Sequence, residues 1–371
     1  MNIDLDEAPA PVPAATPVAH PGSWHVTWHG VRTVTRLELR QRVRSTRWIV
    51  ALVVWFVVVG AITLLATGAL GALTGGEPSD GRGPVLFAVV TYLVLGLGLL
   101  VTPTLTSTSI NGDRNAGTLA TLQVTLLSPA EIVLGKVLAA WVAALAFLAA
   151  SLPFFLLALG LGGTPVHAVF AVLGLVAAIL AAVCGVGVGF SALTARTAGS
   201  TVLTFTAVVG ITAILPVVFG LTYPSVQDQE TVQVWGQQGP TFTGPCEWYE
   251  DERTVYHTER SWWLLAVNPF VVVADGSTVP AEDPTTQTSP FAALREAVRS
   301  VRFGPTGAQY ECWGADGSRP APPSGAANPS TSPIWPWGLA FQVLLGAAGV
   351  VTAVRRLSIP QRTLPRNTRI A

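Results

Sequence analysis

Six long apolar segments constrain what this chain can fold into more than any other feature. Crossing a hydrocarbon layer of about 30 Å takes about 20 helical residues, and each segment is close to that length or longer. Backbone polar groups inside such a layer must be hydrogen-bonded within the protein, which favours helices. The predicted spans are residues 48–70, 84–106, 137–161, 166–193, 200–221 and 335–354. The predicted fold class is therefore an all-α polytopic membrane protein with six transmembrane helices.

Charged residues avoid these segments. Asp, Glu, Lys and Arg make up 11% of the chain, and none lies within a predicted span; soluble domains carry about 25%. One such residue at mid-bilayer would oppose insertion by roughly 2.5–3.5 kcal/mol. Ion-coupled transporters usually carry carboxylates or histidines at this depth. The spans therefore argue against a protein that uses an ion gradient.

The basic residues fall mainly on one side of the predicted bundle. Fourteen of the 21 precede the first span, follow the sixth, or lie in the second–third and fourth–fifth connections. The positive-inside rule assigns that side to the cytoplasm. We expect a multi-pass protein of the cell (plasma) membrane with both termini cytoplasmic.

The two ends of the chain differ in character. Residues 1–23 are acidic and rich in Ala and Pro without an apolar stretch, which indicates a disordered arm and not a signal peptide. In residues 24–47, arginines recur every four positions opposite an apolar side, which is typical of an amphipathic helix lying in the membrane interface. A solvated arm is the alternative reading of this segment. Residues 355–371 form a basic cytoplasmic tail.

The connection between the fifth and sixth spans is long enough to form a large outward-facing domain. Residues 222–334 hold thirteen acidic and six basic residues together with Cys246 and Cys312. An even pair of cysteines in an outward loop fits an oxidising compartment and predicts a disulfide. Residues 262–274 are apolar but too short to span, so we interpret them as interfacial or re-entrant.

Motifs for enzyme chemistry are absent from the sequence. The histidines are scattered, and there is no metalloprotease, nucleophile-elbow or phosphate-loop pattern. We therefore predict no catalytic, cofactor-binding or metal-binding residues and no enzyme activity in this chain. The GVGVG run at 185–189 fails the dinucleotide pattern. Gly185 and Gly189 do have the spacing that lets helices approach closely, although glycine is common in such helices and chance is the alternative.

A polar segment at residues 107–136 interrupts the apolar pattern between the second and third spans. Ser128 and Glu131 have the spacing of a capping box, with proline at the first helical position between them. A helix is therefore expected to begin in the cytoplasm and continue into the third span.

A short separate helix is expected just before this cap, over residues 118–126. Leu119, Leu122 and Leu126 would lie on one face of it. An exposed leucine face at a fixed angle to a membrane helix indicates a docking element more often than a linker.

This segment also resembles a known family. The residues DRNAGTL at 113–119, followed by LLSPAEIVLGK at 126–136, are similar to the loop between the second and third spans of type-2 ABC transporter permeases. The similarity extends to residues 38–45, 189–205 and 349–357. The chain departs from the family pattern at Asp113 and Ala120, where glutamate is usual or common, and in the length of its fifth loop.

The resemblance implies a permease subunit of an ATP-binding-cassette exporter. It would form a dimer, with itself or with a second permease, among membrane lipids and without nucleic acid. ATP would be bound by a separate ATP-binding subunit, with no cofactor in this chain. The ATPase-coupling residues implied are Asp113, Arg114, Gly117, Thr118, Leu119, Leu122 and Leu126. The alternative is a non-transporting membrane protein whose outward domain binds a ligand or partner, and the substrate stays open.

The charge asymmetry predicts which loops an impermeant thiol reagent reaches in intact cells. A cysteine introduced at Ser324 should be labelled, because residues 222–334 are expected to face outward. A cysteine introduced at Asn115 should be labelled only after the cells are permeabilised, and the parent chain is the control for its native cysteines. Labelling of position 115 but not 324 in intact cells would reverse the topology.

Overall fold

A computed structural model describes residues 22–73, 82–118, 127–237, 245–277, 289–305, 307–313 and 332–358. Six of its helices are long and apolar enough to span a membrane, which confirms the prediction of a multi-pass membrane protein. They are Thr46–Ala72, Arg82–Asn115, Pro129–Gly160, Val166–Leu193, Thr197–Val226 and Trp335–Leu357, called the first to sixth spans below. Most of the predicted arm and most of the predicted tail lie outside the described residues.

Several spans are built from more than one helical segment. The described α-helices are Trp28–Val43, Thr46–Leu73, Arg82–Thr106, Asn111–Asn115, Pro129–Ala150, Leu152–Gly160, Val166–Leu193, Thr197–Val209, Leu215–Thr222, Trp263–Ala266, Pro269–Gly276, Pro290–Phe303 and Trp335–Leu357. A π-helical turn covers Gly210–Ile214, and 3₁₀ turns cover Tyr223–Val226 and Thr258–Arg260. The third span is interrupted at Ser151, directly before Leu152 and Pro153.

Backbone-to-backbone packing joins the fourth and sixth spans. A Cβ added at Gly185 would lie 2.5 Å from the Gly346 carbonyl oxygen, and one at Gly189 would lie 2.6 Å from the Gly349 Cα. A Cβ at Gly349 would in turn lie 2.4 Å from the Gly185 oxygen. Only glycine fits such approaches, so the small-residue spacing of residues 185–189 is a packing feature of this bundle.

The fifth span changes its helical pitch just before a proline. Pro216 has no N–H to donate to the carbonyl four residues earlier, that of Thr212. That carbonyl instead accepts a hydrogen bond from the Asn268 side chain, at 3.0 Å. The π-helical turn Gly210–Ile214 surrounds the freed carbonyl. The long loop thus supplies the hydrogen bond that proline removes from the span.

A small sheet in the fifth loop corrects the prediction of an all-α chain. Strands β1 (Gln227–Gly236) and β2 (Glu247–Tyr256) are antiparallel, with Gln227 opposite Tyr256, and β3 (Ala308–Tyr310) runs parallel to β1. The order is β2-β1-β3. A disulfide between Cys246 and Cys312, with Cα atoms 5.9 Å apart, links the start of β2 to the end of β3. It therefore connects the two outer strands of the sheet.

Part of the same loop packs against the spans. Residues 262–274, predicted to be interfacial or re-entrant, form two short helices, and Val272 and Val273 join a core that includes Phe87 and Val172. The buried Asp275 carboxylate accepts hydrogen bonds from Arg299 and from the first backbone amides of the sixth span. A negative group at a helix N-terminus satisfies unpaired amides and is electrostatically favourable. The predicted outward-facing domain at 222–334 stays a prediction.

The amphipathic helix Trp28–Val43 lies across the start of the third span. A Cβ added at Gly135 would lie 2.6 Å from the Val34 Cβ, so the two helices approach closely there. Val31 and Val34 are buried, while Arg32 and Arg36 are exposed. The end of the bundle where this helix lies also holds Leu357, which clusters with Ile132. We call it the basic end.

The glycine contacts predict opposite effects for one substitution at two sites of the fourth span. Gly185→Ala should lower the thermal stability of the detergent-solubilised protein by roughly 1–3 kcal/mol, because the new methyl group overlaps the Gly346 backbone. Gly174→Ala is the matched control, since nothing lies within 4 Å of its added Cβ and alanine favours the helix. Equal melting temperatures for the two variants would contradict the packing described here.

Candidate coupling site

The third span begins with the capping box expected from the sequence. The Ser128 hydroxyl accepts a hydrogen bond from the Glu131 amide at 3.1 Å, and the Glu131 carboxylate accepts one from the Ser128 amide at 2.8 Å. Pro129 occupies the first helical position. These bonds satisfy two of the amides that a helix N-terminus leaves unpaired. The corner before the third span is therefore well defined.

The same carboxylate also caps the amphipathic helix. Glu131 Oε1 accepts from the Thr27 amide at 2.8 Å and from the Thr27 hydroxyl at 2.5 Å. Thr27 is the N-cap of that helix, and its hydroxyl oxygen also accepts a bond from the Gly30 amide at 3.1 Å. One carboxylate thus serves two helix N-termini.

Close packing accompanies this shared cap. A Cβ added at Gly30 would lie 2.5 Å from the Glu131 carboxyl carbon, so a side chain at that position would displace the shared carboxylate. The Ser128 hydroxyl donates to the His25 carbonyl, which adds another link between the same two segments. The sequence predicted the capping box and the amphipathic helix but gave no sign that Glu131 caps both, because Thr27 lies 104 residues away.

A buried cation joins three segments one helical turn further on. The Lys136 ammonium contacts the Glu38 carboxylate and the Asp113 carboxylate, each at 2.5 Å. The Lys136 side chain is 1% exposed, and those of Glu38 and Asp113 are 16% and 30% exposed. Glu38 belongs to the amphipathic helix, Asp113 to the short helix Asn111–Asn115 and Lys136 to the third span. The ion pairs of this cluster therefore hold the three helices together.

The short helix Asn111–Asn115 is also attached to the fourth span. The Ser191 hydroxyl accepts from the Ile110 amide at 2.9 Å and from the Asn111 amide at 3.2 Å. The Asn111 side-chain amide points to the Thr194 hydroxyl and the Arg196 carbonyl at 3.4 and 3.5 Å, which are weak contacts at best. Side-chain capping by Ser191 replaces the intrahelical bonds that this helix lacks at its start.

Two further hydrogen bonds reach the fifth span. The Ser200 hydroxyl donates to the Ser107 carbonyl at 2.6 Å, and the Ser107 and Thr201 hydroxyls lie 3.0 Å apart. Residues 107–113 therefore bond to the third, fourth and fifth spans. No local sequence pattern indicates these partners, since each lies more than 20 residues from the segment 107–113 in the sequence.

The other predicted coupling residues are distributed around this anchored helix. Arg114 is half-buried, Gly117 has a left-handed backbone with φ of 73°, and the exposed Thr118 hydroxyl donates to the Asp113 carbonyl at 3.3 Å. Glycine suits that backbone conformation because it carries no Cβ. The leucine face of Leu119, Leu122 and Leu126 lies outside the described residues. Asp113, another of the predicted coupling residues, has its carboxylate in contact with Lys136.

Comparisons with models of protein families and with curated proteins find no match to this chain. Its function must therefore be argued from the residues and contacts above.

The charge cluster predicts an order of stability for three substitutions at the basic end. Lys136→Met leaves two partly buried carboxylates facing each other without a cation, which should cost roughly 3–5 kcal/mol. Glu38→Gln should cost less, because Lys136 keeps Asp113 as its partner. Arg44→Gln is the exposed control. Melting temperatures in detergent test this order. A Lys136→Met protein as stable as the Arg44→Gln control would contradict the stabilising role of the charge cluster.

Proposed function

We propose that this chain is the permease subunit of an ATP-binding-cassette exporter. It forms the membrane pathway as a dimer, and two separate ATPase subunits act on it through residues 113–127. The observation that carries the proposal is the anchoring of the segment's start. Asp113 bonds to Lys136, and Ser191 caps the helix that holds Asp113.

Anchoring of this kind suits a segment that receives force. A plain surface loop has no need of a buried ammonium with 1% of its side chain exposed, since burying a charge is unfavourable unless it is well paired. Displacement of the helix Asn111–Asn115 would act on the third span through Lys136 and on the fourth span through Ser191. The amphipathic helix would follow through Glu38. Motion at one short helix would thus be passed to several spans.

The sequence supports the same assignment from another direction. Residues 113–119 and 126–136 resemble the coupling loop of type-2 ABC permeases, and the chain has no phosphate loop of its own. Energy for export would therefore come from another subunit. Since the predicted spans are uncharged, lipids, drugs, peptides and polyketides all fit as substrates. In this proposal the permease works as a homodimer or beside a second permease.

The leucine face provides the direct test. Leu122→Asp would place an unpaired carboxylate in the groove of an ATPase subunit, where a desolvated charge costs several kcal/mol. Co-purification with a co-expressed ATP-binding subunit should fall at least tenfold, which corresponds to about 1.4 kcal/mol. ATPase stimulation in the complex should fall in parallel. Insertion and abundance should stay normal, because no predicted span contains residue 122.

Asn115→Ala is the matched control, because Asn115 is exposed and lies four residues before Leu119 in the sequence. It should retain the ATPase subunit at close to the parent level. If Leu122→Asp also retains it at the parent level, the coupling role is wrong. The reading of a non-transporting membrane protein with a ligand-binding loop then becomes the better one.

A further inference from the structure

A lateral groove opens at the basic end of the bundle. It lies between the end of the amphipathic helix, the first span and the second span, and its volume is about 650 Å³. Pockets that hold small molecules usually enclose about 300–1,000 Å³. None of the residues in the coupling cluster of Glu38, Asp113 and Lys136 lines it.

One end of the groove is basic and polar. Gln41, Arg42, Ser45 and Arg47 line this end, and no carboxylate lines the groove anywhere. The half-buried Arg42 guanidinium donates one hydrogen bond, to the Leu105 carbonyl at 3.0 Å. Burial lowers the pKa of Arg42, while the nearby charge of Glu38 raises it. An anion beside this guanidinium would relieve the cost of its burial.

The acidic residue near this end of the groove already has a cationic partner. The charge of Glu38 acts on Arg42, but the Glu38 carboxylate is bonded to Lys136. Arg47 is exposed and forms no ion pair with any residue that the structure describes. Two guanidinium groups at one end of a groove match a phosphate, which accepts their hydrogen bonds in pairs.

The rest of the groove is lined mainly by apolar side chains. Trp48 and Trp55 both contact the Phe147 ring, with centroids 5.0 and 5.1 Å away. The Trp55 indole N–H donates to the Ser151 hydroxyl at 2.9 Å, which fixes the ring. Val54 and Val58 on the first span are 54% and 37% exposed, so this wall is open towards the surrounding lipid.

A phospholipid matches both parts of the groove. Its anionic headgroup suits the basic end, and its acyl chain suits the apolar part. Basic pockets between membrane helices on the cytoplasmic side are known to hold anionic headgroups. A second copy of this chain fits less well. The carboxylates in its described spans, Asp113 and Glu131, are already bonded to Lys136, Thr27 and Ser128. Its spans could therefore offer no free anion to the two arginines.

We propose that this groove binds one anionic phospholipid. Its phosphate lies at the end lined by Arg42 and Arg47, and one acyl chain lies against Trp48, Trp55 and Phe147. The site is separate from the segment assigned to ATPase coupling and does not depend on the proposed function.

Native mass spectrometry of the full-length chain in neutral detergent tests the site. Phosphatidylglycerol and phosphatidylcholine with identical acyl chains are titrated separately. The first phosphatidylglycerol should bind about 25-fold more tightly, because each of the two arginines near the headgroup contributes a factor of roughly five. Arg42→Gln with Arg47→Gln should bring the two affinities together. Arg47→Gln alone should lower the preference for phosphatidylglycerol about fivefold, and it breaks no ion pair or side-chain hydrogen bond with any residue that the structure describes.

The control is a second pair of arginines at the end of the amphipathic helix. Arg40 and Arg44 are exposed and do not line the groove, so Arg40→Gln with Arg44→Gln should change the preference by less than about twofold. Equal loss in the control pair would mean diffuse attraction and would overturn the site. Equal affinity of the parent chain for both lipids would overturn it as well.

A substitution in the apolar part separates the remaining occupants. Val54→Trp should fill the groove and weaken both lipids to a similar degree, since Val54 lines its open wall. If Val54→Trp instead converts a dimer to a monomer and leaves lipid binding unchanged, the groove belongs to a second copy. If millimolar glycerol phosphate displaces the lipid, the groove binds only the phosphate. That result would contradict the proposed binding of an acyl chain.

Discussion

The pairing of one buried ammonium with two carboxylates organises the basic end of this protein. Lys136 is almost completely shielded, so its charge is tolerable only while Glu38 and Asp113 stay in contact with it. Those contacts decide where the amphipathic helix crosses the third span and how the short helix Asn111–Asn115 is held. Because the cluster has two negative groups and one positive group, part of its excess charge must be stabilised by solvent. The partial exposure of Asp113 and Glu38 is consistent with that requirement.

The shared cap at Glu131 adds a second constraint at the same corner. Charge pairing at Lys136 and capping at Glu131 lie one turn apart on the third span and bind the two ends of one partner segment, Thr27 and Glu38. Two attachment points fix an angle as well as a position, which a single contact cannot do. Gly30 and Gly135 allow the approach because a side chain at either position would meet its neighbour. The angle between the amphipathic helix and the third span is therefore fixed by contacts at both positions.

Sequence reasoning succeeded where the physical cause is local. Six spans follow from hydropathy, since a membrane-spanning backbone has few alternatives, and the cap at Ser128 and Glu131 follows from a three-residue spacing. The strands β1 and β2 were missed because both are largely polar, with Val232, Val234 and Val255 as their buried apolar residues. Alternation was too weak to predict a sheet. The partners of Glu131 and Lys136 on the amphipathic helix lie about a hundred residues away, at separations of 104 and 98, and no local pattern encodes them.

The shared cap at Glu131 also has a consequence for the order of assembly during synthesis. Thr27 leaves the ribosome 104 residues ahead of its partner. At about 5–20 residues per second, roughly 5–20 s pass before both groups are available. During that interval the amphipathic helix has neither its carboxylate cap nor its lysine partner, so it cannot yet dock on the third span. Its docking is then a late event in biogenesis that waits for the third span to be inserted, and a chain stalled before that point would carry an unattached N-terminal helix.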